Sequence, residues 1–312
     1  MHARKLVKAG PSSHTVSLPK EWLTKNQLTK GSTVYILEHG ADLRITADVK
    51  DAPTAAREKT IEIDNKDIET IGREITSAYI NNYSSIVLAG SLTTDKVKDI
   101  RRVLRDFPGL EIVEQTAKRL VANDLLNIKE VSIDKTLRRM DMTVRSMMQD
   151  SITASKEAYD AIVLRDYDMN RMYFLLYRLL KGSLKDPRMA QHLQLSNDAV
   201  LTHWLLANNL ENLADAIKNA CRALQRLSPA EAKEAKENYA AIEALYLDAM
   251  KSQFTNDRAL ADSVAQRRHD VIGNASKLAS KHHTPTMTEL REQFETMATL
   301  ITNVARGVID RE

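Results

Sequence analysis

From residue 132 to residue 312 the chain gives a helix few places to stop. Glycine and proline are the two residues that most readily end a helix. Over this stretch the breaks they mark are Gly182 to Pro187, Ser228-Pro229 and Thr284-Pro285. Between the breaks, apolar residues recur at helical spacing. The pattern predicts about six helices, over 133–164, 166–181, 197–227, 229–254, 257–281 and 287–310. Two of the starts carry a Ser/Thr-x-x-Glu sequence, Ser228 to Glu231 and Thr286 to Glu289. In such a capping box the hydroxyl and the carboxylate each satisfy one free backbone N–H. The whole chain has only 9 glycines and 7 prolines, and aromatic residues make up 5% of it. Its core must therefore come mainly from Leu, Ile, Val, Ala and Met.

The first 48 residues read differently. Lys5 to Ala9 and Thr15 to Leu18 are short strand-like runs, and Pro19 opens a short helix through Glu21, Trp22 and Leu23. Lys30-Gly31-Ser32 reads as a turn. Thr33 to Glu38 and Leu43 to Thr46 flank His39-Gly40-Ala41-Asp42 as a hairpin. So small a segment struggles to bury enough apolar surface alone, which predicts dimerisation through it. Residues 60–127 alternate strand and helix, with strands at Thr60 to Ile63, Ser85 to Ala89, Leu110 to Val113 and Arg119 to Ala122. Helices are predicted over Asp67 to Asn82 and Thr93 to Arg105, the second starting at a Thr N-cap. This order is read as a ferredoxin-like α/β module. Gly90 lacks the further glycines and the Gly-Lys-Ser/Thr sequence of a phosphate loop, and reads as a plain turn.

At 312 residues the chain has room for two or three domains. Its net charge of +3 is mild, but the distribution is uneven. Residues 1–30 hold Arg4, Lys5, Lys8, Lys20, Lys25 and Lys30 against the single acid Glu21. Such a local excess attracts phosphates. Cys221 is the only cysteine, so neither a disulfide within the chain nor a thiolate metal cluster is expected. The first ten residues lack an apolar signal core. No apolar run approaches the roughly 18–20 residues that span a bilayer. A cytoplasmic protein without membrane insertion is expected. There is no Ser/His/Asp arrangement, nucleotide loop or catalytic cysteine setting, so the chain does not read as an enzyme.

The helical region repeats itself. At one constant offset, Leu210-Glu211 matches Phe294-Glu295, Leu213-Ala214 matches Met297-Ala298, and Ile217, Asn219, Ala220, Cys221 and Leu224 match Ile301, Asn303, Val304, Ala305 and Val308. Two three-helix units follow, 132–227 and 228–312. Helical geometry of ~100° per residue puts Glu211, Asp215 and Asn219 on one stripe, nearly opposite Leu210, Leu213, Ile217, Cys221 and Leu224. A carboxylate stripe either stays solvated or binds a cation. Its oxygen ligands favour Mg²⁺, Ca²⁺, Mn²⁺ or iron. His282-His283 and His269-Asp270 offer further ligand types, although a histidine pair at a helix end is also an ordinary C-terminal feature.

Residues 3–47 resemble the AbrB/SpoVT/MazE swapped-hairpin family. The resemblance lies in the run Thr15-Val16-Ser17-Leu18-Pro19-Lys20-Glu21-Trp22, the Leu28-Thr29-Lys30-Gly31 turn and the Leu43-Arg44-Ile45 strand. It implies an interleaved homodimer that presents basic residues to DNA, with Arg4, Lys5, Lys8, Ser13, His14 and Lys20 as the DNA-binding candidates.

Residues 133–310 resemble the PhoU family, and the order AbrB-like then PhoU-like is known from archaeal phosphate-uptake regulators. Asn209 to Asp215 is similar to that family's Leu-Glu-Arg-Ile-x-Asp helix, and Asp168 to Leu175 to its second helix. Some members bind metal through Glu-x-x-x-Asp motifs. The resemblance thus implies a divalent or iron-type metal ion at Glu211 and Asp215, assisted by Asp168, with Glu295 as the counterpart in the second repeat. Departures are Asn212 for Arg, Ala216 for His, Asn170 for an acid and Thr299 for Asp.

The expected architecture is multidomain α+β: an N-terminal swapped-hairpin β domain (1–48), a small ferredoxin-like α/β module (60–127) and a PhoU-like bundle of two three-helix repeats (132–312). The expected function is a dimeric DNA-binding regulator of phosphate uptake. The alternative is a PhoU-like adaptor that acts by protein contact on a phosphate transporter ATPase or a sensor protein, its N-terminal domain serving only to dimerise.

Overall fold

The computed structural model describes residues 3–39, 42–47 and 57–311. The chain divides into two compact units, Met1–Ala55 and Ala56–Glu312.

The first unit holds two hairpins and a helix. β1 (Val7–Lys8) pairs antiparallel with β2 (His14–Thr15), and β3 (Tyr35–His39) with β4 (Asp42–Thr46). The strands overlap the expected runs, β2 ending at Thr15 rather than at Leu18, and the expected turn residues Gly40 and Ala41 lie outside the described residues. Between the hairpins runs α1 (Lys20–Lys25), for which Pro19 is the N-cap rather than the first helical residue. No described residue of this unit with an assigned burial is buried. Leu6, Val7, Val16, Ile36 and Leu43 are all exposed, Leu6 by 72%.

The second unit opens with an α/β layer: β5 (Glu58–Glu62), α2 (Ile68–Ile80), β6 (Ser85–Ala89), α3 (Thr94–Leu104), β7 (Leu110–Gln115) and β8 (Arg119–Asp124). The sheet order is β5-β6-β8-β7, with β5 and β6 parallel and the remaining pairs antiparallel. This corrects the ferredoxin-like expectation, in which a strand from later in the chain would separate the two strands joined by the first helix. Here α2 returns the chain directly beside β5, and the final hairpin inserts β8 next to β6. Thr93 caps α3 as expected, and Asp67 caps α2. Gly90 turns at φ +137°, where a Cβ would lie 2.8 Å from Asp64 and Ile63 side-chain atoms, so the position belongs to a glycine turn.

Seven helices follow: α4 (Ile133–Ser151), α5 (Lys156–Ser183), α6 (Pro187–His192), α7 (Asn197–Leu224), α8 (Pro229–Thr255), α9 (Arg258–His282) and α10 (Pro285–Ile309). The first break comes at 152–155 instead of 165. Ala154 takes a left-handed φ of 52° and Ser155 caps α5. The Ser228 capping box forms as expected. At the last helix Thr284, not Thr286, is the N-cap, because Pro285 fits the first helical position. Glu289 instead pairs with Arg226.

The two repeats superpose in their contacts. Asp150 of α4 pairs with Arg165 of α5 at 2.5 Å, and Asp248 of α8 pairs with Arg267 of α9 at 2.6 Å. Buried Ile162, Met169 and Leu176 on α5 correspond to buried Val264, Val271 and Leu278 on α9. One continuous apolar core runs through both repeats. A second core fills the α/β layer and reaches Phe174 and Tyr177 of α5. An aromatic ladder continues this join: Tyr79, Phe107, Phe174, Tyr173, Tyr177 and Trp204 lie in sequence, with neighbouring ring centroids 4.9–6.2 Å apart. None of the described helices is long and apolar enough to cross a membrane.

Candidate functional site

In the first unit the six DNA-binding candidates are all exposed. The β1–β2 register sets Lys8 directly opposite His14. Gly10, Pro11 and Ser12 form the tip between them, closed by a hydrogen bond from the Ala9 N–H to the Ser13 carbonyl at 3.0 Å. Arg4 and Lys5 lead into β1 and Lys20 starts α1. The hairpin thus brings Lys8, Ser13 and His14 together at one end of a short ribbon. Among the described residues of this unit, all three are exposed.

The polar cluster of the second unit lies between α5 and α7. Glu211 and Asp215 are one helical turn apart on α7, as their spacing requires. The stripe they occupy lies on the side of α7 that meets α5, where the Asp215 side chain stays 48% exposed. The acid that meets them is Asp166, not Asp168. Asp166 follows Ile162 by four residues and precedes Met169 by three, so it sits on the inward stripe of α5. Its side chain is 10% exposed, whereas Asp168 is exposed. Between the carboxylates stands the Lys218 ammonium, which donates to Asp166 Oδ2 and to Asp215 Oδ1, both at 2.6 Å.

The electrostatics follow from three acids sharing one base. Burial, aided by the charges of Asp215 and Asp166, pushes the Glu211 carboxyl up to about 7. Burial also raises Asp166, against the pull of Lys218. Lys218 is itself raised by its two carboxylate hydrogen bonds, which outweigh its burial. Tyr173 of α5 is raised by burial and then by the Glu211 charge, and its hydroxyl lies 3.3 Å from the Asn208 side-chain oxygen. The cluster is a proton-holding, lysine-bridged carboxylate set.

These residues do not fit a metal ion. Among the described residues no three His, Cys, Asp or Glu side chains gather as a ligand set. The place where a cation would bridge Asp166 and Asp215 is taken by a tethered ammonium. In the second repeat Glu295 accepts from the Ser276 hydroxyl at 3.3 Å and lies 3.7 Å from Arg291 Nε. Thr299 stands where Asp215 stands in the first repeat, and its hydroxyl meets Arg268. His282 contacts Glu234 at 3.3 Å, and His283 is the left-handed C-cap of α9. Cys221 is buried, and burial pushes its thiol up to about 11, so it is not poised to react.

Sequence reasoning missed Asp166 and Lys218. Both were findable: Asp166 breaks the apolar stripe Ile162–Met169–Leu176, and Lys218 lies three residues beyond Asp215.

Residues 137–224 match the family described as the PhoU domain. The match runs from the first turns of α4 to the last residue of α7, which is the first repeat. No curated protein matches the chain, and no solved structure matches it.

Proposed function

We propose that this protein is a dimeric regulator of phosphate homeostasis that binds DNA through its N-terminal unit and receives its signal through the helical bundle. The observation that carries the reading is the PhoU-domain match over α4 to α7, since that domain suggests a role in phosphate homeostasis. The DNA-binding half is supported by the exposed basic hairpin of Arg4, Lys5, Lys8, Ser13 and His14 with Lys20 beyond it. The dimer is supported by the lack of a buried residue among those assigned in residues 3–47, because a folded unit needs apolar surface removed from water. The AbrB-like resemblance of the same residues agrees with both.

Phosphate contacts release counterions, so DNA affinity is expected to fall steeply with salt. Replacing Lys5 and Lys8 with Ala is expected to weaken binding and to flatten the salt slope by roughly one unit per lost phosphate contact. Unchanged binding by the double variant favours the second reading, an adaptor that contacts a phosphate transporter ATPase or a sensor protein. That reading rests on the same PhoU match and needs the N-terminal unit only to dimerise.

Lys218 bridges Asp166 and Asp215 with its single positive charge, and burial raises the neighbouring Glu211 carboxyl to about 7.

A further inference from the structure

The internal repeat places Arg268 of α9 where Asp166 stands in α5. The anchors on either side are the matched pairs Arg165–Asp150 and Arg267–Asp248. Thr299 replaces Asp215 on the facing helix, and Thr302 replaces Lys218. The corner therefore exchanges two acids for an arginine and a threonine, while keeping one acid, Glu295 in the place of Glu211. In the first repeat an acid corner has its counter-ion built in as Lys218. In the second repeat Arg268 has no ion-pair partner among the described residues, the retained Glu295 facing Arg291 instead.

Arg268 is half-buried, and its Nε is buried without a hydrogen-bond partner. Its one hydrogen bond runs from Nη2 to the Thr299 hydroxyl at 3.0 Å. Among the described residues it forms no ion pair, while its neighbour Arg267 is paired with Asp248. Arg291, two turns before Thr299 on the same stripe of α10, also has a buried Nε without a hydrogen bond, its contact with Glu295 being 3.7 Å. Charges withdrawn from water are ordinarily paired, and the buried Nε of the half-buried Arg268 has no such partner among the described residues. Guanidinium donors in a fixed fork match the oxygen atoms of a tetrahedral phosphoryl group, while the Thr299 hydroxyl donates to the Glu295 carbonyl at 2.8 Å and positions Arg268 by accepting from it.

We propose that the corner formed by Arg268 and Thr299 in the second repeat binds a phosphoryl oxyanion, either free phosphate or a phosphomonoester. The site depends on the bundle and not on the DNA-binding reading, so the two stand or fall separately.

The test is titration of the full chain with inorganic phosphate and, separately, with phosphoserine, by calorimetry at constant ionic strength. Chloride is the control. Saturable binding of either ligand is expected, and the tighter of the two identifies the source. Arg268→Gln is expected to weaken it roughly tenfold or more, and Thr299→Val to weaken it less. Arg306→Gln, an exposed arginine of α10, is expected to leave it unchanged. In phosphate-free buffer Arg268→Gln is expected to melt no lower than the parent, since an unpaired charge has been removed. In saturating phosphate the parent gains melting temperature and the variant does not. A parent that binds neither ligand, or an Arg268→Gln chain that binds as tightly as the parent, overturns the site. So does a variant that melts lower without phosphate, which assigns Arg268 a structural role.

Discussion

The Arg178 guanidinium grips both carboxylate oxygens of Asp124, joining the C-terminal part of α5 to the end of β8. The arginine side chain is 3% exposed and the carboxylate 12%. Its Nε also donates to Asn82 Oδ1 at 3.0 Å, and the Asn82 amide returns a bond to the Arg178 carbonyl. The ring of Tyr79 lies 4.7 Å below the guanidinium. The α/β layer is thus fastened to the first repeat by a charge pair withdrawn from water. Removing one member of such a pair costs about 3–5 kcal/mol, mostly from the charge left alone. Asp124→Ala is therefore expected to lower unfolding free energy by about that much in urea titration. An effect within experimental error would show that the pair does not fasten the layer.

Glu211 gives a stability that depends on pH. Its carboxyl is raised to about 7 in the fold, mainly by burial, against an unfolded value near ~4.3. The folded state therefore binds the proton more tightly than the unfolded state. Stability is full below the unfolded value and is lost as pH rises towards 7. Glu211→Gln removes that loss. It is expected to raise stability by about 2 kcal/mol at pH 8 and to change it little at pH 4. Urea midpoints of parent and variant at the two pH values check this, and a variant less stable at pH 8 contradicts it.

Lys218 is expected to decide whether the cluster takes a metal. In the parent, its ammonium occupies the bridge between Asp166 and Asp215. Lys218→Ala leaves two carboxylates and Glu211 without a cation, and oxygen ligands of this kind suit Mn²⁺ or Ca²⁺. The variant is expected to melt below the parent and to regain stability when Mn²⁺ is added, while the parent does not respond. Manganese stabilisation of the parent as well would show that Lys218 does not block the site.

The exposed face of the second hairpin is expected to hold the dimer. The β3–β4 register sets Ile36 opposite Ile45, and Leu43 two residues before Ile45 shares that face. Ile36 is 59% exposed and Leu43 65%. Ile36→Lys with Leu43→Lys is expected to halve the mass found by sedimentation. A mass unchanged at micromolar concentration places the dimer contacts elsewhere.

Much of the helical region was legible because proline and capping residues mark its boundaries. Ser228-Pro229 started α8 where the sequence indicated, while α7 ended at Leu224, three residues before the expected 227. The α4–α5 break was not legible, since Ile152 to Ser155 contains neither glycine nor proline and the apolar spacing runs on through it. The order of the sheet was hidden for a different reason. Strand pairing depends on which edges meet in space, and local pattern cannot report that. Glu211 and Asp215 were legible through their one-turn spacing, but their partner was not. Motif matching drew attention to Asp168, while burial geometry favoured Asp166, two residues earlier and 160° around the helix from it. The exchange of Asp166 for Arg268 became visible only through the matched ion pairs Asp150–Arg165 and Asp248–Arg267.

The aromatic ladder has one tryptophan at its end, Trp204. The chain has only 2 tryptophans, and the other, Trp22, belongs to α1 in the first unit. Each unit therefore has its own intrinsic fluorophore, without any label. Replacing Trp22 with Phe leaves an emission that reports on the bundle alone, and replacing Trp204 leaves one that reports on the hairpin unit. Five tyrosine and phenylalanine rings lead from the α/β layer to Trp204, so excitation at that layer drains towards it. Parting the layer from α5 would interrupt the relay, and the protein would signal the event as a change of colour.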